Sequence, residues 1–179
     1  MTTNTETASS FETIDADGLA ALAQKGKADN KAVRTAKCRT VAEGVKFRHL
    51  NYVRNLPPHI VDEPPGLLGD DTAPNPTEAL LAALGTCISV GLQANAVARG
   101  WTVNGIAVEL EGDINISAVW GTGDLNDKNA GLSDVRIKVE LDVDGAAEGE
   151  IDEVIAHVAK WSPVLNTVRN PSPITIERA

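Results

Sequence analysis

Residues 75–100 read NPTEALLAALGTCISVGLQANAVARG. Pro76 fits only the first turn of a helix, and Asn75 before it has the short polar side chain of an N-cap. Glu78 falls at the third helical position, where an acidic group suits the helix dipole. Leu80, Leu84, Cys87 and Gly91 then share one face at helical spacing. Ala82, Ala83, Gly85, Gly91, Ala94, Ala96 and Ala98 keep much of the surface small, and Arg99-Gly100 supplies a terminal positive charge and a cap. The pattern predicts a long, closely packed central helix that carries a single cysteine, Cys87.

A lone thiol in an apolar helix has two readings. Free cysteine is among the most buried residue types, and Cys87 reads as a small core residue on pattern alone. A reactive thiol needs an electropositive neighbour that favours the thiolate. Arg48, His49, Arg54 and His59, all ahead of the helix, are the candidates. Glu78 stands nine residues before Cys87, or roughly 180° around a helix, and is not an obvious partner.

Before the helix, residues 53–74 hold five prolines and two glycines and predict a long loop with one short extended piece at 59–61. Residues 32–52 predict a β-hairpin turning at Glu43-Gly44, with Cys38 in its first strand. A short helix is expected at 17–24, capped by Asp15 or Asp17 and ended by Gly26. Residues 1–31 thus read as an N-terminal extension with a short helix, and 32–179 as the main domain.

Beyond the helix three strands are expected. Ile106, Val108, Leu110, Ile114 and Ile116 share one parity, and the alternation of DVRIKVELDV places Val135, Ile137, Val139, Leu141 and Val143 inward. GTGDLNDKNAGLS, 121–133, is a loop. EGEIDEVIAHVAKW predicts a helix with Ile151, Val154, Ile155, Val158 and Trp161 on one face and an acidic first turn. Ser162-Pro163 starts a further short helix ending near Arg169, and PITIER reads as a last strand.

The chain of 179 residues is long enough for one ordinary core, and 42% hydrophobic residues with 3% aromatics make that core aliphatic. A net charge of −9 argues against nucleic acid and against an anionic membrane as partners. The first ten residues lack the features of a signal peptide, and the apolar run 80–90 is too short to span a bilayer, so a cytoplasmic protein is expected. Two cysteines make no disulfide framework and read as free thiols. His49, His59 and His157 are scattered singly, so no metal is expected. The stretch 142–153 lacks the glycine and oxygen ligand of a calcium loop, GTGDL lacks the features of a phosphate loop, and Ser89 has no nucleophile elbow.

NPTEALLAALGTCISVGLQ after a Pro/Gly-rich loop and hairpin, followed by AKWSPVLNTV, resembles the OsmC/Ohr family of osmotically induced and organic hydroperoxide resistance proteins. The resemblance covers roughly residues 32–178. It implies an α+β fold: an intertwined homodimer whose antiparallel sheets enclose a long central helix. It implies thiol-dependent reduction of organic hydroperoxides without a cofactor, regenerated by an external thiol reductant. By that resemblance Cys87 is the attacking cysteine. Ser162 stands at the resolving-cysteine position before Pro163, and Thr77 at the helix-start glutamate position, with Glu78 one residue late. The assisting arginine has no match at the hairpin turn, leaving Arg39 or Arg48, and Cys38 has no role in the family pattern. The chain therefore reads as a one-cysteine thiol peroxidase. The alternative is a non-catalytic module that binds a small apolar ligand or partner.

Overall fold

A computed structural model describes residues 11–121, 131–170 and 172–178, without the side chains of residues 118 and 119. The chain divides into two units, residues 25–83 and residues 1–24 with 84–179. The fold is α+β with antiparallel sheets, as expected.

The 25–83 unit is built on a three-stranded antiparallel sheet, with β1 (Arg39–Ala42) beside β2 (His49–Tyr52) and β2 beside β3 (His59–Val61). Thr40, Asn51 and His59 sit in register across it. The hairpin turn is wider than the expected Glu43-Gly44 pair. Ala42 pairs with His49, and the Glu43 and Arg48 backbone N–H groups donate to the carbonyls of Arg48 and Val45. A two-residue turn of the favoured type needs positive φ at both central residues. Here Gly44 (φ 88°) and Lys46 (φ 42°) take the positive values instead. Cys38 lies just ahead of β1 rather than in it, and is exposed.

The proline-rich loop is tied down by a buried carboxylate. Asp62 is 1% exposed and accepts from the Glu63 N–H at 2.8 Å, the Thr72 N–H at 3.0 Å and the Thr72 hydroxyl at 2.7 Å. A Cβ on Gly69 would sit 1.7 Å from the Glu63 carbonyl oxygen, so only glycine fits there. The Thr72 bonds hold the Asp62 carboxyl below its usual range. A depressed folded-state value stabilises the fold above the ordinary carboxylate range, and that stability is lost as pH falls through the lowered value. Urea unfolding at pH 7, 4 and 3 is therefore expected to show an acid-sensitive limb that Asp62→Asn flattens. An unchanged limb would discount the clamp.

The helix expected from residue 75 is α2 (Pro76–Ala98). Its N-terminus is a capping box: the Glu78 N–H donates to Asn75 Oδ1 at 2.9 Å, and the Asn75 N–H donates to Glu78 Oε2 at 2.8 Å. Its C-terminus is a Schellman motif. Gly100, at φ 76°, donates to the Val97 carbonyl and Trp101 to that of Ala96. Taken whole, α2 is long and apolar enough to cross a membrane by length and composition, although the run 80–90 alone is not. Its inner face, Leu84, Ile88, Leu92 and Ala96, is buried in the protein core instead.

That core belongs to the second unit. It joins α2 to Trp101, to Val154 and Val158 of α4 (Glu150–Trp161), and to Leu165 of α5 (Pro163–Arg169). A two-stranded sheet, β4 (Thr102–Ile114) antiparallel to β5 (Leu132–Asp144), packs against it through Val103, Ile106, Val108 and Leu110 and through Val135 to Val143 at alternate positions. A Cβ on Gly85 would meet Leu110 Cδ1 at 2.7 Å, so this glycine lets helix and sheet approach.

Four expectations fail here. Two strands stand where three were expected. Register irregularities at 103–105 and 113–114 interrupt the alternation, and Ile114 is 37% exposed. Asn115 then accepts from the Ser117 N–H and starts a short helix, α3 (Ile116–Val119), so Ile116 leaves the strand. Trp161 ends α4 outside the core at 64% exposure. Residues 172–178 form no strand, because alternation alone makes no ladder without a partner strand; Ile174 and Ile176 are exposed. Most of the expected 121–133 loop lies outside the described residues. The first helix, α1 (Ala16–Ala28), is capped by Asp15, which accepts from the Asp17 N–H. It runs through Gly26, where a helical glycine meets nothing and costs about 1 kcal/mol against alanine.

Candidate active site

Cys87 lies one residue before Ile88 of the buried face of α2, so its thiol is only half-buried. Ser162 lies 75 positions further along, at the junction of two helices. Its N–H donates to the Val158 carbonyl at 2.8 Å and closes α4. Its hydroxyl oxygen accepts from the Leu165 N–H at 3.4 Å and opens α5, while Pro163 fits the first position of that helix. Such a double cap fixes the side chain, which is 5% exposed. The Ser162 hydroxyl donates to Cys87 Sγ at 3.2 Å.

The approach of the two helices depends on a glycine. A Cβ on Gly91 would lie 2.9 Å from Val158 Cγ1 and 3.3 Å from Cγ2. Gly91 stands four residues after Cys87, and Val158 four before Ser162. Side chains four apart on a helix are neighbours on one face. The Gly91–Val158 contact and the Cys87–Ser162 bond are therefore successive rungs of one antiparallel contact between α2 and α4. Sequence reasoning placed Gly91 on the Cys87 face but missed this use. The signal was the small residue one turn beyond the cysteine.

The remaining candidates have other tasks. Glu78 closes the capping box and faces roughly the opposite side of α2 from Cys87. Thr77, half-buried in the same turn, brings no carboxylate. Arg48 pairs with Glu43 across the hairpin turn, Nε to Oε2 at 2.9 Å, but the bond is poorly aligned, and that buried Nε has no well-formed hydrogen bond among the described residues. Arg39 and Arg54 are exposed. His49 and His59 stand on the three-stranded sheet, in the same unit as Cys38. Both cysteines are free thiols. Among the described residues no group of His, Cys, Asp and Glu is arranged to hold a metal ion.

The site thus offers a half-buried thiol with a fixed hydroxyl donor on its sulfur.

The sequence profile of the OsmC-like protein family matches residues 69–177. Among solved structures, the chain is similar to an OsmC like protein from Mycoplasma pneumoniae at 20% identity and a TM-score of 0.63, over 78% of this chain and 91% of that one. It is similar to an OsmC-like protein of unknown function from Vibrio cholerae at 11% identity and a TM-score of 0.61, over 75% of this chain and 94% of that one. It is also similar to an organic hydroperoxide resistance protein from Elizabethkingia anophelis with bound thiocyanate, at 17% identity and a TM-score of 0.56, over 79% and 92%. At these identities the likeness speaks for the fold. No curated protein matches the chain.

Proposed function

Because this chain belongs to the OsmC-like protein family, matched over residues 69–177, we propose that it reduces organic hydroperoxides with a single peroxidatic cysteine, Cys87. The carrying observation is the hydrogen bond from Ser162 to Cys87. Ser162, which the family resemblance sets at the resolving position, meets the sulfur of Cys87 with a hydroxyl in place of a thiol, and this supports the reading. The names of the organic hydroperoxide resistance proteins among the structural neighbours support the substrate class.

In the first step the Cys87 thiolate attacks one peroxide oxygen of ROOH. An S–O bond forms, the O–O bond breaks, and the departing alkoxide takes a proton and leaves as ROH. Cys87 is then a sulfenic acid. Ser162 has no sulfur with which to close a disulfide, so an external thiol attacks, forms a mixed disulfide and releases water. A second external thiol frees Cys87 and leaves as part of the oxidised disulfide. Two free cysteines suit this cycle in a reducing compartment such as the cytoplasm.

The working unit in this reading is a homodimer. A helix that is apolar all round belongs inside a protein. Yet Leu80 and Val90 of α2 are 42% and 59% exposed, and Ile174 and Ile176 have no strand partner among the described residues. A second copy is the occupant the family resemblance suggests for these surfaces.

The commitments of Glu78 to its cap and of Arg48 to Glu43 favour a second reading, a non-catalytic OsmC-like binding module. One experiment separates the two. The reduced protein is mixed with cumene or tert-butyl hydroperoxide, and both peroxide loss and the mass of the Cys87 peptide are followed. The peroxidase reading expects stoichiometric oxidation of Cys87, turnover when a dithiol is supplied, and loss of both in Cys87→Ser. A Cys87 that stays reduced while peroxide persists leaves the binding module standing.

A further inference from the structure

The corner that presents Ser162 to Cys87 is held by a side chain on α5. At Ser162 the backbone leaves helical geometry, at φ −61° and ψ 120°, and the chain turns from α4 into α5. A helix leaves its last carbonyls without partners inside it, and the Lys160 carbonyl is one of these, because α4 ends at Trp161. The half-buried Asn166 fills the gap. Its amide nitrogen donates to the Lys160 carbonyl at 2.9 Å and to the Ser162 carbonyl at 2.8 Å. Both neighbours are acceptors, so only the nitrogen end of the amide fits there, and both of its hydrogens are used.

The two bonds tie different things. The Ser162 carbonyl lies four residues before Asn166, one turn back, and also accepts the Asn166 backbone N–H at 3.0 Å. The Lys160 carbonyl lies six residues back on α4, beyond any bond inside α5. Asn166 thereby fastens the start of α5 to the end of α4. The bond from the Leu165 N–H to the Ser162 hydroxyl is 3.4 Å, long for an N–H···O bond, and Pro163 brings no N–H. The backbone of the corner therefore carries part of the aim of the hydroxyl at the sulfur.

We propose that Asn166 is a positioning residue for Cys87. Through the carbonyls of Lys160 and Ser162 it holds the Ser162 hydroxyl on the sulfur. It acts through Ser162 and not on the thiol itself. The proposal rests on Cys87 being the reacting sulfur, and its test reads the thiol rather than peroxide turnover.

The test is a double-mutant cycle on the rate at which iodoacetamide alkylates Cys87 at one neutral pH, followed by the mass of the Cys87 peptide. Asn166→Ala is expected to change the rate by about two- to tenfold, the weight of one hydrogen bond, in the direction that Ser162→Ala changes it. With Ser162→Ala already present, adding Asn166→Ala changes it by less than about twofold. The melting midpoint falls in both backgrounds, so a residue that only stabilised the corner would move the midpoint without this coupling. Asn166→Ser is the conservative variant. Thr167 Oγ1 donates to the Pro163 carbonyl at 2.9 Å, four residues back, so a hydroxyl at 166 can keep the bond to Ser162 while losing the one to Lys160. Its rate is expected between those of the parent and Asn166→Ala, and it carries the same cycle where Asn166→Ala does not fold. An unchanged rate in a folded Asn166 variant overturns the proposal. So does an effect of equal size with and without the Ser162 hydroxyl. A protein that shows the coupling but leaves hydroperoxide unconsumed supports the role of Asn166 and removes the peroxidase reading instead.

Discussion

Ser162→Cys is expected to close a disulfide to Cys87 on addition of one equivalent of an organic hydroperoxide, with the intact mass falling by two hydrogens. The serine hydroxyl already lies 3.2 Å from the Cys87 sulfur, and the double cap holds its backbone in place. A disulfide needs the two sulfurs about 2.05 Å apart, a difference that side-chain rotation can supply. The bond closes a loop across the 75 positions between the residues, and chain entropy then stabilises the oxidised form by about 4 kcal/mol. The reduced variant loses the cap of α5, at about 1 kcal/mol. The expected pattern is therefore a slightly lower melting midpoint reduced and a clearly higher one oxidised. A variant that oxidises at Cys87 but stays a sulfenic acid would show that the side chains do not face each other as described.

Gly91→Val is expected to lower stability by about 2–3 kcal/mol and to disturb the thiol one turn away. The new side chain meets the methyls of Val158, which is 3% exposed and stiff at its β-branch. Overpacking of this kind costs about 1–3 kcal/mol, and valine gains little of the helix propensity that alanine would bring. For a chain of this size the melting midpoint drops by about 5–10 °C. Because the contact is one rung from the site, α4 is pushed off and the Ser162 hydroxyl moves away from Cys87. The rate at which iodoacetamide alkylates Cys87 is therefore expected to change, as it should in Ser162→Ala, which removes the same bond. Adding Val158→Ala to Gly91→Val restores room and recovers at least half of the lost stability. A Gly91→Val protein as stable and as reactive as the parent would remove the glycine from the account.

How much of this was legible beforehand follows from the range of each interaction. The capping box of α2 lies within four residues, so Asn75, Pro76 and Glu78 announce it. The alternation of β5 and the helical face of Val154 and Val158 rest on period alone, and both stand in the structure. Failures fall where spacing alone does not decide the outcome. The hairpin turn is set by which residues accept positive φ, Trp161 by where α4 meets solvent, and residues 172–178 by a strand partner absent from the described chain. Family resemblance supplied a role for Cys87 that periodicity could not.

By itself, then, the order of residues 75–100 determines a long capped helix, the position of its cysteine and the small residues beside it. These are local consequences of backbone sterics and spacing. Only the tertiary structure decides what meets the sulfur. Ser162 reaches Cys87 across 75 positions because Gly91 lets Val158 close in, and Glu78 turns to its own helix end. Contacts between helices depend on side-chain volume at the crossing, which no periodicity encodes.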